Sequence, residues 1–367
     1  MALGLGPGGQ DLVFGSGHII EPGFQPRLKP CQDPASSSNS GHKVSTLDTS
    51  SSVTVNSTSS PVSVFLLLCF PGIQSWQHWL SIPLALLFLV ALVANLTLLI
   101  TLYTEVSLHE PMYYFLGLLA LLDLVLCTAT IPKILAIFWF DWKTISPGFC
   151  FLQMYIMNAF LAMESSTFLL MAYDRFVAIC HPLRYPSIIT NGFVAKAAGF
   201  IVGRSSLLTL PVPVLAALLH YCSRDAIAHC ICTNVAVTTL ACSDRTINSI
   251  YQLVIGWSLL GSDLVLIIFS YGFILRAVLR LQAEGAAVKA LSTCSSHLIL
   301  IAFFYSVLLV LIFTNKMQNQ MSPDIPILLN VLHHLVPPTL NPIVYGVRTK
   351  EIKRGILRVY GISKLAA

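Results

Sequence analysis

The sequence predicts an all-α membrane protein: a seven-transmembrane helix bundle followed by a short amphipathic C-terminal helix. Two properties of the 367-residue chain support this fold class. Hydrophobic residues make up 55% of the chain and charged residues only 10%, too few to solvate the surface of a soluble protein of this length. In addition, seven stretches are long and apolar enough to cross ~30 Å of hydrocarbon.

Each of these stretches must satisfy its own backbone hydrogen bonds in lipid, so all of them are predicted to be helices. They cover Trp79–Tyr103, Met112–Phe140, Phe149–Ile179, Phe193–Leu218, Ile250–Leu279, Ala290–Phe313 and Asp324–Tyr345.

Basic residues predict the orientation of the bundle. The loops after the third and fifth predicted helices and the tail after the seventh, with the adjoining helix ends, hold 12 of the 21 Lys and Arg residues. This bias places these segments in the cytosol, and an odd number of spans then puts the amino terminus outside the plasma membrane. The short first loop, Glu105 to Glu110, has no Lys or Arg and does not contribute. Anionic lipid accounts for the net charge of +5, so no nucleic-acid partner is expected.

The two ends of the chain differ from the bundle, which is assigned to residues 61–347. Residues 1–60 are rich in Gly, Ser and Pro and are predicted to form a disordered extracellular tail with a glycosylation sequon at Asn56. Asn95 begins a second sequon, but it lies within the membrane. We expect the first membrane helix to act as the targeting signal. The cytoplasmic tail, 348–367, alternates basic and apolar residues from Arg348 to Tyr360, which predicts the amphipathic helix.

Four cysteines predicted to be extracellular indicate disulfides: Cys150, Cys222, Cys232 and Cys242. Four cysteines allow three pairings, and their spacing does not decide among them. A Cys150–Cys232 bond would tie the long loop after the fourth helix across the mouth of the bundle, and a Cys222–Cys242 bond would close that loop on itself. Cys230 is left over as a free thiol. The remaining cysteines are expected to be unpaired: Cys31, Cys69, Cys127, Cys180 and Cys294.

An acid–base pair lies at the end of the third predicted helix, in the segment Met171–Cys180 (MAYDRFVAIC). Adjacent Asp174 and Arg175 at the cytoplasmic mouth can hold each other in one state and release the Arg side chain to a partner in another. Such a two-state switch with an intracellular reader is the minimum requirement for transmembrane signalling, so the pair indicates a receptor.

Five motifs occur in order along the chain: Leu108–Phe115, Met171–Cys180, Ser270-Tyr271, Lys289–Leu298 and Pro337–Gly346. Together they resemble the olfactory receptors, which belong to the rhodopsin-like G-protein-coupled receptors. The resemblance covers roughly residues 55 to 360. Asp263 in the fifth helix and the run Val336-Pro337-Pro338 are similar to the class I, fish-like group, and 138–141 and 184–188 are most similar to family 56.

Two buried carboxylates are the candidates for an ion site. Asp123 and Glu164 lie deep in apolar sequence, where an unpaired charge is costly. If both face the bundle centre, they must share a cation or hold protons. The resemblance implies a sodium ion there, with possible neighbours Asn95, Ser165 and Asn341. The alternative is that one or both carboxyls are protonated and hydrogen-bonded to Asn341 or Ser165.

The resemblance implies coupling to a stimulatory, olfactory-type G protein through Arg175, with Asp174 as its resting partner. Tyr271 and Tyr345 are expected to swing toward Arg175 when the sixth helix moves, and the segment Lys289–His297 supplies the moving end. Tyr271 and Tyr345 are also explained by interfacial anchoring, since Tyr is common at this depth.

The resemblance also implies an odorant pocket between the third, fifth and sixth helices. Most matching positions are apolar, which suits a volatile or fatty molecule held by burial. Lys316 is expected to anchor a ligand carboxylate while Asn158 fixes its orientation; alternatively, Lys316 is a solvated helix end. Because adjacent positions point about 100° apart on a helix, at most one of His333 and His334 is expected to face the pocket. The predicted ligand-binding residues are Met157, Asn158, Leu161, Ala162, Tyr251, Tyr305, Ile312 and Lys316.

A membrane transporter or channel for a small solute is the alternative function. A transporter would show interrupted helices in pairs or self-similar halves, and the sequence has no self-similar halves. An intramembrane enzyme would need a nucleophile–base pair or metal ligands at helical spacing, which the sequence lacks. A receptor that is not an enzyme is therefore favoured, with no cofactor other than a possible sodium ion.

Overall fold

The computed structural model describes residues 63–70, 72, 76–222, 224–280, 284–317 and 322–361, with the backbone alone for 284–293, 315 and 316. All of these residues fall within one compact unit, 57–367. The predicted tail, 1–60, and its sequon at Asn56 lie outside the described residues.

The seven predicted membrane helices are confirmed, with boundaries that differ by a few residues. The structure has seven helices long and apolar enough to cross a membrane within its described ranges. The sixth of these spans is part of a longer helix, Glu284–Lys316. In chain order, the spans are Gln77–Thr104, Pro111–Phe140, Pro147–Cys180, Asn191–Ala217, Thr246–Leu279, Cys294–Thr314 and Asp324–Arg348.

Polar caps and prolines begin the helices. Ser146 precedes the third helix, and its hydroxyl accepts a hydrogen bond from the Phe149 amide at 3.4 Å. Thr190 caps the fourth helix in the same way, accepting from Phe193 at 3.2 Å. Pro147 follows Ser146 at a first-turn position, where its missing N–H would have had no helical partner.

Three membrane helices are interrupted. In the fourth and seventh, the second piece begins at or beside a proline, Pro211 and Pro337, which cannot donate the backbone hydrogen bond that a continuous helix needs. The fifth contains a π-helical turn, Trp257–Gly261. The flanking pieces are Asn191–Thr209 and Pro211–Ala217, Thr246–Gly256 and Ser262–Leu279, and Asp324–His333 and Val336–Arg348.

A small sheet covers one end of the bundle, which we call the outer face. Strand β1 (Phe65–Leu67) lies between β2 (Thr144–Ile145) and β3 (Ala226–Ile227). β1 pairs antiparallel with β2 and parallel with β3. This sheet is not predictable from the sequence, because strands of two or three residues are too short for a detectable alternation of apolar and polar residues.

Three disulfides fasten the outer face. Cys150 is joined to Cys232, and Cys222 is joined to Cys242. A third bond joins Cys69 to Cys230, with their Cα atoms 4.0 Å apart. The expectation that Cys69 is unpaired and Cys230 a free thiol is therefore wrong. The sheet explains the Cys69–Cys230 bond. β1 runs parallel to β3, which brings the residues that follow the two strands together.

The two largest apolar clusters of the bundle are an outer one and an inner one. The outer cluster contains Phe65 and Phe138 with the cysteines at 69, 150, 230 and 232. The inner cluster contains Phe168, Phe304 and Tyr345. Large apolar side chains are also exposed along the helices, among them Leu89 in the first and Phe269 in the fifth, as expected for a lipid-facing surface.

The predicted amphipathic helix forms at Lys350–Val359 and packs on the first membrane helix. Ile352 is buried in the inner cluster. At the surface, Tyr360 and Thr97 share a hydrogen bond of 2.8 Å, and Arg358 pairs with Glu105 at 3.1 Å. We call the end of the bundle that carries this helix the inner face.

Candidate functional site

A cavity of about 290 Å³ lies directly beneath the sheet on the outer face. We call it the outer cavity. The third, fifth, sixth and seventh membrane helices contribute to its wall, as does the loop between the fourth and fifth helices. Its apolar lining includes Met157, Leu161, Leu308, Ile312 and Ile327. Its polar lining is Asn158, His229, Thr233, Asn234, Thr239, Gln252, Asn330, His333 and His334.

Half of the predicted ligand-binding residues line this cavity: Met157, Asn158, Leu161 and Ile312. The other four lie elsewhere or have side chains outside the described residues.

Three predicted ligand-binding residues lie outside the lining. Ala162 is buried in the third helix. The Tyr251 hydroxyl donates to the carbonyl of Leu208 at 2.8 Å, which ties the fifth helix to the fourth. The Tyr305 hydroxyl lies deeper, against Ser165. Lys316 is the last residue of the sixth helix, and its side chain is outside the described residues.

His333 and His334 both line the outer cavity, so the expectation that only one of them does is wrong. That expectation assumed an uninterrupted helix. The first piece of the seventh helix ends at His333 and the second begins at Val336, so the two imidazoles are not held to ideal helical spacing. Their rings lie edge to face with centroids 5.1 Å apart.

A hydrogen-bonded group of buried polar side chains lies one turn below the cavity, and we call it the polar core. Asp263 in the fifth helix is fully buried and pairs with Arg204 of the fourth helix at 3.1 Å. Ser165 and Ser166 of the third helix donate to the same carboxylate at 3.1 and 2.8 Å. Tyr305 of the sixth helix shares a 2.7 Å hydrogen bond with Ser165. Four membrane helices thus meet through their polar side chains.

Arg204 is not among the residues predicted from the sequence. Asp263 enters there only as a mark of resemblance, and Ser165 is predicted to lie beside the ion site. An arginine near the middle of an apolar membrane span is itself a signal, because a charge there is costly unless it has a partner. The partner is 59 residues further along the chain, so no local pattern connects the two.

The two predicted ion-site carboxyls are brought together. Asp123 and Glu164 are buried and their side chains contact each other, and Asn341 donates to Asp123 at 3.0 Å. Among the residues that the structure describes, one oxygen of each carboxyl has no hydrogen-bond partner, and the same holds for the side-chain oxygen of Asn95. Ser165, the other predicted neighbour, belongs to the polar core instead. Within the described ranges, no three His, Cys, Asp or Glu side chains are arranged to hold a metal ion.

At the inner face, Asp174 and Arg175 form an ion pair at 2.8 Å, with the carboxylate fully buried. Tyr185, in the loop after the third helix, donates to the other carboxylate oxygen at 2.8 Å. Burial raises the pKa of Tyr185, and the adjacent Asp174 carboxylate raises it further. Arg175 also contacts the sulfur of Met112. The arginine is therefore held by neighbours on both sides.

Tyr271 and Tyr345 lie near this pair, and both hydroxyls are buried without a hydrogen-bond partner in the described part of the chain. Tyr345 is fully buried and packs edge to face against His297, with ring centroids 5.4 Å apart. Interfacial anchoring would leave such a hydroxyl in contact with water or headgroups. The burial of Tyr345 favours a role inside the bundle.

Comparison with known proteins identifies the family. A family model described as "Olfactory receptor" matches residues 84–362. Human "Olfactory receptor 56A1" is 66% identical over 304 residues, which are 83% of this chain and 96% of that protein. The chain belongs to the olfactory receptor family. Human "Olfactory receptor 56A4" is 64% identical over 82% of this chain and 96% of that protein. Human "Olfactory receptor 52K2" is 42% identical over 81% of this chain and 95% of that protein.

These matches confirm the resemblance to family 56. An olfactory receptor is an odorant-sensing G-protein-coupled receptor and not an enzyme, so the prediction of a receptor is confirmed. With seven apolar helices, this olfactory receptor is a multi-pass membrane protein that takes small-molecule ligands and couples to a G protein.

Proposed function

We propose that this receptor binds a small, largely apolar odorant in the outer cavity and activates a stimulatory, olfactory-type G protein, raising cAMP. The receptor acts at the plasma membrane with its amino terminus outside the cell. The observation that carries this proposal is the position of the outer cavity one helical turn above the polar core. A ligand in the cavity therefore touches the same helices whose hydrogen bonds hold the sixth helix in place.

The lining of the cavity supports an apolar ligand. Burial of apolar surface contributes about 25 cal/mol per Å², and most of the lining is apolar. A volume of about 290 Å³ is at the small end of the range for ligand pockets. We assign contacts to Met157, Asn158, Leu161 and Ile312. Lys316 lies one turn beyond Ile312 in the sixth helix, and its role as a carboxylate anchor stays a prediction that Lys316→Ala tests.

The polar core supplies a route from the ligand to the sixth helix. Leu161 lines the cavity and Ser165 follows it by one turn on the third helix; Leu308 and Tyr305 have the same relation on the sixth. A ligand that separates Leu161 from Leu308 alters the 2.7 Å contact between Ser165 and Tyr305 directly beneath. Two discrete arrangements of such a contact provide the bistable element that signalling needs.

At the inner face, activation frees Arg175 from Asp174. The unpartnered hydroxyls of Tyr271 and Tyr345 then accept hydrogen bonds from the guanidinium, which keeps it extended toward the G protein. The resting ion pair and the released arginine are thus alternative states of the same side chain.

We also propose that Asp123 and Glu164 hold a sodium ion. Hard cations take oxygen ligands, and the unpartnered oxygens of Asp123, Glu164 and Asn95 are the available donors. A bound cation supplies the positive charge that two adjacent buried carboxylates lack. Asn341 orients Asp123 through its 3.0 Å hydrogen bond.

Measurement of cAMP in cells that express the tagged receptor and a stimulatory G protein tests the proposal. A panel of volatile acids, aldehydes, lactones and alcohols is expected to include agonists. Arg175→Ala is expected to abolish their response at equal surface expression, and Arg224→Ala, the same change on the outer face, to leave it intact. An undiminished response in Arg175→Ala contradicts the proposal. So does labelling of an amino-terminal tag only after cells are permeabilised.

A further inference from the structure

The outer cavity carries hydrogen-bonding groups but no carboxylate, ammonium or guanidinium among its described lining residues. Its polar side chains are amides, hydroxyls and three imidazoles. One of these imidazoles, His229, comes from the loop after the fourth helix, between β3 and Cys230. The other two, His333 and His334, come from the interrupted seventh helix.

The hydrogen bonds of His229 define which of its nitrogens carries the proton. The backbone amide of Ile231 donates to Nδ1 at 3.3 Å, so Nδ1 is the acceptor. Burial, with a smaller contribution from His334, lowers the pKa of His229 to about 3, and the ring is therefore neutral at physiological pH. A neutral imidazole whose Nδ1 accepts has its proton on Nε2.

This Nε2–H group is buried and has no hydrogen-bond partner in the described part of the chain. His229 is only 6% exposed, yet it lines the cavity. A buried donor without an acceptor is costly, and native proteins rarely leave one unfilled. The missing acceptor is what a ligand oxygen in the cavity would supply.

Two further lining groups are unpartnered. Asn234 donates through its Nδ2 to Asn248 and Gln252, which leaves its Oδ1 as a buried acceptor. His333 is 4% exposed, and its Nδ1 also has no partner among the described residues. A carboxylate placed among these groups would meet only neutral donors and the oxygen of Asn234, with no full positive charge among the described lining residues. Such a buried charge would be strongly disfavoured.

We propose that the outer cavity selects neutral, oxygen-bearing odorants, namely aldehydes, ketones, lactones, esters or alcohols, whose oxygen accepts a hydrogen bond from Nε2 of His229. The inference rests on the proposed odorant site and names the class of ligand that the site takes. Asn234 and His333 add a second contact for ligands that also donate, such as alcohols.

Thermal unfolding of the purified full-length receptor tests this selection independently of signalling. The probes are hexanal through dodecanal with the matching alcohols, γ-lactones and carboxylates. Members of the neutral series are expected to raise Tm in a concentration-dependent way, and the carboxylates are not. His229→Asn, whose amide is too short to reach the Nε2 position, is expected to weaken binding of the neutral compounds about tenfold.

Two variants serve as controls. His229→Gln places an amide donor near the Nε2 position and is expected to retain most of the affinity. His220→Asn changes an exposed histidine of the same loop and is expected to have no effect. If His229→Asn does not fold, comparison of His229→Gln with His229→Met, which has similar length and no donor, gives the same test.

Each remaining outcome is decisive. Selective stabilisation by carboxylates that Lys316→Ala removes overturns the inference, as does the absence of any Tm shift across the panel. Equal affinity in His229→Asn and the wild type removes His229 from the site. A Tm shift that depends on His229 without a cAMP response supports the inference and contradicts the proposed signalling.

Discussion

At the scale of single residues, the most costly feature of this receptor is the charge pair inside its membrane helices. Arg204 and Asp263 lie in different helices, and the carboxylate is fully buried. Neither charge is tolerable there alone. Each is the partner of the other, and Ser165 and Ser166 add two hydrogen bonds to the Asp263 carboxylate. Tyr305 of the sixth helix is hydrogen-bonded to Ser165, so the Arg204–Asp263 pair is linked to the sixth helix through Ser165.

Removal of one member of this pair is therefore expected to be far more harmful than removal of both. Arg204→Ala leaves an unpaired buried carboxylate and should destabilise the receptor by about 3–5 kcal/mol. The double change Arg204→Met with Asp263→Leu should recover most of that loss. Thermal and denaturant unfolding of the solubilised receptor measure both effects.

Arg358→Ala provides the comparison, because its partner Glu105 lies at the surface and exposed pairs contribute roughly 0–1 kcal/mol. Equal destabilisation by Arg204→Ala and Arg358→Ala would contradict the burial assigned to the Arg204–Asp263 pair.

The neutral state of His229 predicts a dependence of stability on pH. Its pKa is 6.5 in the unfolded chain and about 3 in the folded receptor, so between these values only the unfolded chain takes up the proton. Stability therefore falls as pH falls below 6.5, by about 1.4 kcal/mol per pH unit. Between about pH 7.5 and about pH 5, the His229→Gln receptor should lose roughly 2 kcal/mol less stability than the wild type. Equal losses of stability in the two receptors would contradict a neutral, buried His229.

At the scale of secondary-structure elements, the amphipathic helix depends on one close approach to the first membrane helix. A side chain at Gly355 would place its Cβ 2.8 Å from Thr101 and 3.3 Å from Leu108. Glycine is therefore required there by space, since its backbone takes an ordinary helical conformation.

Gly355→Val is expected to push the amphipathic helix off the bundle and lower stability by about 1–3 kcal/mol. Unfolding of the solubilised receptor measures the change, and fluorescence from a label near Tyr360 reports the displacement. Gly346→Ala is the matched control, because its Cβ would meet only Ile356, at an ordinary 3.6 Å. Equal stability of the two variants would show that the amphipathic helix does not pack as closely as described.

At the scale of the whole molecule, the proposed mechanism couples the outer cavity to the Asp174–Arg175 pair at the inner face, so ligand binding at one is expected to alter affinity at the other. This coupling is reciprocal and typically amounts to a 5–150-fold change in affinity. In the wild type, a stimulatory G protein is thus expected to raise affinity for an agonist from the neutral series by a factor in this range.

Tyr271→Phe and Tyr345→Phe are expected to reduce that factor while affinity without G protein stays unchanged, because neither hydroxyl has a partner in the part of the chain that the structure describes. Competition binding with and without G protein measures both quantities. Loss of affinity without G protein would instead assign these tyrosines to the resting structure.

The sequence predicts the whole-molecule architecture well and its tertiary contacts poorly. Seven apolar segments are visible because the bilayer requires about 20 consecutive apolar residues, a strictly local property. The proximity of Asp123 and Glu164 also follows from their depth in neighbouring helices. The partnership of Arg204 with Asp263 and that of Cys69 with Cys230 depend on how distant segments pack. The sequence could place both His333 and His334 in the cavity lining only if the interruption of the seventh helix were known.

The bond between Cys69 and Cys230 also sets an order of events during synthesis. Its two cysteines are separated by 161 residues, which include the first four membrane helices. At about 5–20 residues per second, the first thiol emerges roughly 8–32 seconds before its partner exists. The Cys69 thiol must therefore wait for Cys230 to be translated before the bond can form. Production hosts with a weak oxidative folding pathway should accumulate receptor in which Cys69 and Cys230 are not joined.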